Sequence, residues 1–131
     1  MKKPAKSLPR PTQAELEILG ALWECGPSSV REVQQHLAPS RPAGYTTLLK
    51  LLQIMSAKGL VTRDESKRSH VYRAAVAREQ TQRQLVSDLV ERAFGGSASQ
   101  LIMQAIAARP TSPEEMREIR RLLQRNEEER P

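Results

Sequence analysis

The stretch GYTTLLKLLQIMSAKGL, Gly44 to Leu60, decides the fold. At 100° per residue Leu48, Leu51, Leu52 and Met55 share one stripe, while Thr46, Thr47, Lys50 and Gln53 gather on the opposite face. That is a helix anchored on a core by one side. Its other side carries two hydroxyls, an amide and one cation, and no carboxylate follows until Asp64. Two shorter helices are expected upstream. Thr12-Gln13-Ala14-Glu15 has the spacing of a capping box and opens a helix with Leu16, Leu19, Leu22 and Trp23 inward, stopped by Gly26-Pro27. Ser29-Val30-Arg31-Glu32 repeats the box and opens a helix with Val30, Val33 and Leu37 inward, ending before Pro39.

After Gly59, which closes the third helix, the period changes from 3.6 to 2. Leu60–Arg63 and His70–Arg73 read as short strands joined by the polar turn Asp64–Ser69. Three helices followed by a hairpin with a basic tip is the element order of a winged helix-turn-helix, here over residues 12–75. From Ala77 the chain is helical again. Leu85, Val86, Leu89, Val90 and Ala93 run to Phe94 before Gly95-Gly96; Ser97 caps a helix with Leu101, Ile102, Ala105 and Ile106 inward; Ser112-Pro113-Glu114-Glu115 opens a last one with Met116, Ile119, Leu122 and Leu123 inward. A small winged domain cannot cover three such stripes, so residues 76–131 are expected to form a helical dimerisation region covered by a second copy. The fold class is mainly α with a small β-hairpin.

Charge divides along the same line. Residues 1–75 carry six lysines and six arginines against six carboxylates, the whole formal excess of +6, whereas residues 76–131 balance nine arginines with nine carboxylates. A basic half beside a neutral half points to a polyanion, with nucleic acid ahead of a membrane surface. Met1–Pro11, rich in proline and cations, is expected to be a disordered basic arm in which Lys2, Lys3, Lys6 and Arg10 add sequence-independent attraction. MKKPAKSLPRP contains no apolar run, so neither a signal peptide nor a membrane span is expected, and the protein is read as cytoplasmic. Cys25 is the only cysteine, which excludes an intrachain disulfide. Cys25, His36 and His70 show no metal-ligand spacing, and no glycine-rich phosphate loop, nucleophile motif or paired-carboxylate site appears. The reading is therefore not an enzyme and needs no cofactor.

Several short motifs stand in order along the chain: Glu15-x-x-Ile18-x-x-x-Leu22-Trp23, Val30-Arg31-Glu32-Val33, Tyr45-Thr46-Thr47 with Leu52-Gln53, Lys58-Gly59-Leu60-Val61, His70-Val71-Tyr72-Arg73 and Phe94-Gly95-Gly96-Ser97. Together they resemble the penicillinase-repressor family of bacterial transcriptional regulators, from about Thr12 to Arg125. The resemblance implies a homodimeric repressor with a winged-helix reader of double-stranded DNA and a C-terminal dimerisation part. It also implies a sensor-linked metalloprotease as partner, which in the best-known members triggers cleavage of the dimerisation part between an asparagine and a phenylalanine. The aligned pair here is Gln104-Ala105. A copper-responsive branch carries paired cysteines that this chain lacks.

Thr46, Thr47 and Lys50 are the candidate readers of a major groove, with Thr46 alternatively a helix cap. Lys67 and Arg68 at the hairpin tip, and Arg41 ahead of the third helix, are candidate phosphate contacts. Trp23 and Tyr72 suit the core, with the Tyr72 hydroxyl offered to a phosphate, and Ile54 sits near the outward edge of the third helix. Leu85, Leu89, Phe94, Leu101, Ile102, Ile106, Met116, Ile119, Leu122 and Leu123 are the candidate dimerisation residues. A repressor at a palindromic promoter operator is the leading reading. A winged-helix module that binds protein and no DNA, and a repressor that answers to a small molecule, stand as alternatives.

Overall fold

The computed structural model describes residues 9–66 and 68–129. Its elements run α1 (Gln13–Cys25), α2 (Val30–Leu37), α3 (Tyr45–Lys58), β1 (Val61–Asp64), β2 (Val71–Ala74), α4 (Arg78–Ala93), α5 (Ala98–Ala108) and α6 (Pro113–Glu129). The first two helices begin where the capping boxes stand. The Glu15 N–H donates to Thr12 Oγ1 at 3.2 Å, and the Thr12 N–H donates to Glu15 Oε1 at 2.9 Å. At α2 the Glu32 N–H donates to Ser29 Oγ at 3.2 Å, and the Ser29 N–H donates to Glu32 Oε1 at 2.8 Å. That last bond, with the hydroxyl beside it, holds the Glu32 carboxyl below the ordinary range.

One core joins α1, α2, α3 and the hairpin. Its shielded side chains are Ile18, Leu19 and Leu22 of α1, Val30 and Val33 of α2, Leu48, Leu52 and Met55 of α3, and Leu60, Val61 and Tyr72 around the hairpin. Leu51 and Leu37 are only half-buried against it. In α1 the inward face is turned from the expected stripe: Ile18 is buried and Glu15 with it, while Leu16 and Trp23 are half-buried. Glu15, Ile18, Leu19 and Leu22 follow the i, i+3, i+4, i+7 spacing, and a distant cation lets the carboxylate take an inward position.

Gly59 stops α3 in the left-handed region at φ 84°, and the Leu60 N–H returns to the Met55 carbonyl at 2.9 Å. Leu60 therefore completes the helix end, so β1 starts at Val61 and both strands begin one residue later than the alternation suggests. The strands are antiparallel, with Val61 opposite Ala74 and Asp64 opposite Val71. Ser28 adds a one-residue edge: its N–H donates to the Tyr72 carbonyl at 2.9 Å and its carbonyl accepts from the Tyr72 N–H at 2.8 Å. This bridge fastens the hairpin to the α1–α2 connection, completing a winged helix-turn-helix.

The chain divides into two compact units, one up to Leu85 and one from Val86. The first turns of α4 go with the winged unit. The Trp23 indole N–H donates to the Val76 carbonyl at 3.0 Å, the Arg78 guanidinium lies 5.7 Å from the Trp23 ring centroid, and Thr81 is buried. In the second unit Gly95 and Gly96 take φ 58° and 85° at the end of α4, and Ser97 Oγ caps α5. Ser112 accepts from the Glu115 N–H at 3.1 Å to start α6.

Candidate nucleic-acid interface

The second and third helices are set against each other by a short connection. Gln34 Nε2 donates to the Ala43 carbonyl at 3.0 Å, which fixes the chain just before α3. Gly44 is the N-cap of α3 and no side chain caps it. Thr46 thus sits inside the first turn and does not cap. Thr46, Thr47 and Lys50 are all exposed, and Ile54 is 43% exposed on the same side as Thr47 and Lys50.

A second edge of α3 faces elsewhere. Tyr45, Leu49 and Gln53 line a cleft of about 410 Å³ with Ser29, Val30 and Arg31 of the α2 start and Arg63, Arg68, Ser69, His70 and Tyr72 of the hairpin. The Arg31 guanidinium lies 5.4 Å from the Tyr45 ring centroid. Arg63 Nη2 is 2.9 Å from Glu65 Oε1, and His70 Nε2 is 4.0 Å from the same oxygen.

Each candidate finds its place against this frame. Arg68 is exposed and lines the cleft. Lys67, like Lys2, Lys3 and Lys6 of the basic arm, lies outside the described residues. Arg10 is tied to the domain, its carbonyl accepting from Lys58 Nζ at 3.2 Å. Arg41 is exposed but engaged, its Nη1 3.0 Å from Glu17 Oε2, so a phosphate would have to displace that carboxylate. The Tyr72 hydroxyl is not on offer to a phosphate: the residue is 0% exposed, and the hydroxyl oxygen is shielded with no partner among the described residues. The cleft also brings together Arg31, Tyr45 and Arg63, which the sequence reading did not single out as candidates. A signal existed, since the starts of the second and third helices of a helix-turn-helix approach the same groove, which brings Arg31 and Tyr45 to one rim.

In the second unit no residue of α5 or α6 is buried in the single chain, so the apolar stripes of these helices are not covered within it. Leu89, Ile102, Ile106, Leu122 and Leu123 are exposed, and Leu85, Phe94, Leu101, Met116 and Ile119 are half-buried. Gln104 and Ala105 are exposed within the body of α5. Cys25 Sγ lies 3.3 Å from His36 Nδ1, and His36 Nε2 lies 3.0 Å from Glu24 Oε2. Among the described residues no group of three His, Cys, Asp or Glu side chains is arranged to hold a metal ion, and no helix is long and apolar enough to cross a membrane.

Residues 11–125 match the penicillinase repressor family. The transcriptional regulator BlaI of Mycobacterium tuberculosis, from two strains, is 29% identical over 87 residues, 66% of this chain and 63% of that protein. The chain thus spans less than two thirds of the length of these curated relatives. Among solved structures, the DNA-binding domain of the repressor BlaI is 23% identical with a TM-score of 0.49, over 56% of this chain and 89% of that one. The Bacillus licheniformis BlaI monomeric form in complex with the blaP half-operator is 22% identical with a TM-score of 0.49, over the same shares. With the family match running through both units, the chain belongs to the penicillinase repressor family, whose members are transcriptional regulators and not enzymes.

Proposed function

We propose that the protein is a dimeric, sequence-specific DNA-binding repressor that acts at a palindromic promoter operator. The observation that carries this reading is the outward face of α3, where Thr46, Thr47 and Lys50 stand exposed with no carboxylate on the helix. Threonine brings a hydroxyl for base edges and a methyl for the thymine C5-methyl, and lysine brings a cation for guanine or phosphate. Ile54, exposed beside them, fits a thymine methyl better than it fits water. Lys67 and Arg68, and Arg41 once a phosphate displaces Glu17 from it, are the phosphate contacts, which position the protein without reading sequence.

The apolar residues left uncovered on α4, α5 and α6 support association with a second copy, which would present two α3 helices to half-sites about one helical turn apart. Repression then follows from exclusion of polymerase at the promoter. Release by proteolysis near Gln104-Ala105, implied by the family, requires α5 to unwind locally, because both residues sit inside the helix. A salt titration of binding to the protein's own promoter fragment tests the reading: affinity falling steeply with salt is expected, and no protection of the duplex at any salt would refute it.

A further inference from the structure

The cleft between α2, α3 and the hairpin has a chemistry of its own. Arg31 of α2 and Arg63, Arg68 and His70 of the hairpin converge on it, Ser29, Ser69 and Gln53 add hydroxyl and amide groups, and no carboxylate is among its described lining residues. Two of its guanidinium groups are already positioned. Arg31 rests over the Tyr45 ring at 5.4 Å, and Arg63 is held 2.9 Å from Glu65 Oε1. Glu65 also stands 4.0 Å from His70, so one carboxylate borders this side of the cleft while it pairs with Arg63. Like charges gathered in a concave site raise the local concentration of anions, and the planar guanidinium fork matches phosphate oxygens two at a time. A volume of about 410 Å³ holds a phosphoryl group with the sugar attached to it.

We propose that this cleft is a phosphoryl seat, in which Arg31 and Arg63 grip the phosphate oxygens and Glu65 occupies Arg63 until the phosphate displaces it. The phosphoryl group has two sources, a DNA backbone phosphate or a free phosphorylated small molecule. Only the first rests on the DNA-binding reading. The second would make the ligand a competitor of duplex DNA for the wing, and so an effector of the repressor.

The test uses the isotope-labelled full chain, titrated in separate arms with sodium phosphate and with a short duplex, against sodium chloride at matched ionic strength. Saturable NMR shifts are expected at Arg31, Arg63, Ser69 and His70 in at least one arm, absent with chloride and lost in an Arg31→Gln, Arg63→Gln variant whose other resonances are unchanged. Should that variant unfold, Arg63→Gln alone serves as the readout. In the duplex arm each Arg→Gln change is expected to lower the slope of log affinity against log salt by about one. Glu65→Gln is expected to tighten binding by about fivefold, the equivalent of one exposed ion pair. A response to phosphate alone assigns the seat to a small ligand, and a response to duplex alone assigns it to the DNA backbone. Both uphold the seat. Shifts at Thr47 and Lys50 with duplex but none at Arg31 and Arg63 in either arm would overturn the seat while leaving DNA binding intact. A duplex that moves no resonance, beside a saturable phosphate response, would do the reverse. Shifts that persist undiminished in the arginine variants would also overturn the seat.

Discussion

Lys58 Nζ lies 2.6 Å from Glu15 Oε1 and ties the last turn of α3 to the first turn of α1. The carboxylate side chain is 3% exposed and also closes the Thr12 capping box, so one buried group serves a helix start and a helix-to-helix contact. This contact joins the end of α3 to α1 beside the core packing of Leu48, Leu52 and Met55.

Lys58→Met removes the cation and strands the Glu15 carboxylate in the core edge. A loss of about 1–3 kcal/mol is expected, since a shielded charged group deprived of its partner carries most of its desolvation cost. Urea unfolding of the variant against the wild type measures it. An unchanged midpoint would show that the pair contributes nothing.

The same contact carries a pH dependence. Burial opposes ionisation of Glu15, but the Lys58 hydrogen bond and charge and the Thr12 N–H outweigh it, and the carboxyl is held below its ordinary value. A carboxylate whose folded pKa is depressed stabilises the fold fully above the unfolded pKa, and that contribution disappears as the pH falls through the lower folded value. The stability difference between wild type and Glu15→Gln is therefore expected to be largest at neutral pH and to shrink on acidification. A difference that grows as the pH falls would reverse the sign of the account.

Tyr72→Phe deletes a hydroxyl that is shielded and without a partner among the described residues. Because nothing is lost but a buried polar group, stability is expected within about 0.5 kcal/mol of the wild type or above it. Duplex affinity is expected to be unchanged. A marked loss in either would reveal a role for the hydroxyl.

Charge placed on the uncovered faces of the second unit should break association. Leu122→Glu with Leu123→Glu, at side chains 50% and 49% exposed, is expected to leave the winged unit folded and to give a monomer in sedimentation. A chain that is monomeric before the change would refute the association, and one still dimeric after it would place the interface elsewhere.

The local rules read well from the sequence because their causes are local. Thr12 with Glu15 and Ser29 with Glu32 form their boxes within one turn, and Gly59 ends α3 in the conformation that glycine favours. What failed to show depends on partners far along the chain. Glu15 faces inward because Lys58 meets it, and no helical period announces that. The strands start one residue late because Leu60 is used by the Gly59 helix end. Arg31, Tyr45 and Arg63 form one cleft only after Ser28 and Tyr72 have bridged the hairpin to the α1–α2 connection. On the last three helices the apolar stripes were plain, and their excess over what a small winged domain can cover is what led to the expectation of a second copy.

Selection of duplexes from a randomised pool tests most directly the claim that α3 reads DNA. The wild-type chain is expected to enrich an inverted repeat with half-sites about one helical turn apart. A Thr46→Ala, Thr47→Ala, Lys50→Ala variant with an unchanged unfolding midpoint is expected to enrich none. Enrichment of the same repeat by the variant, or no enriched sequence with the wild type, would contradict the account.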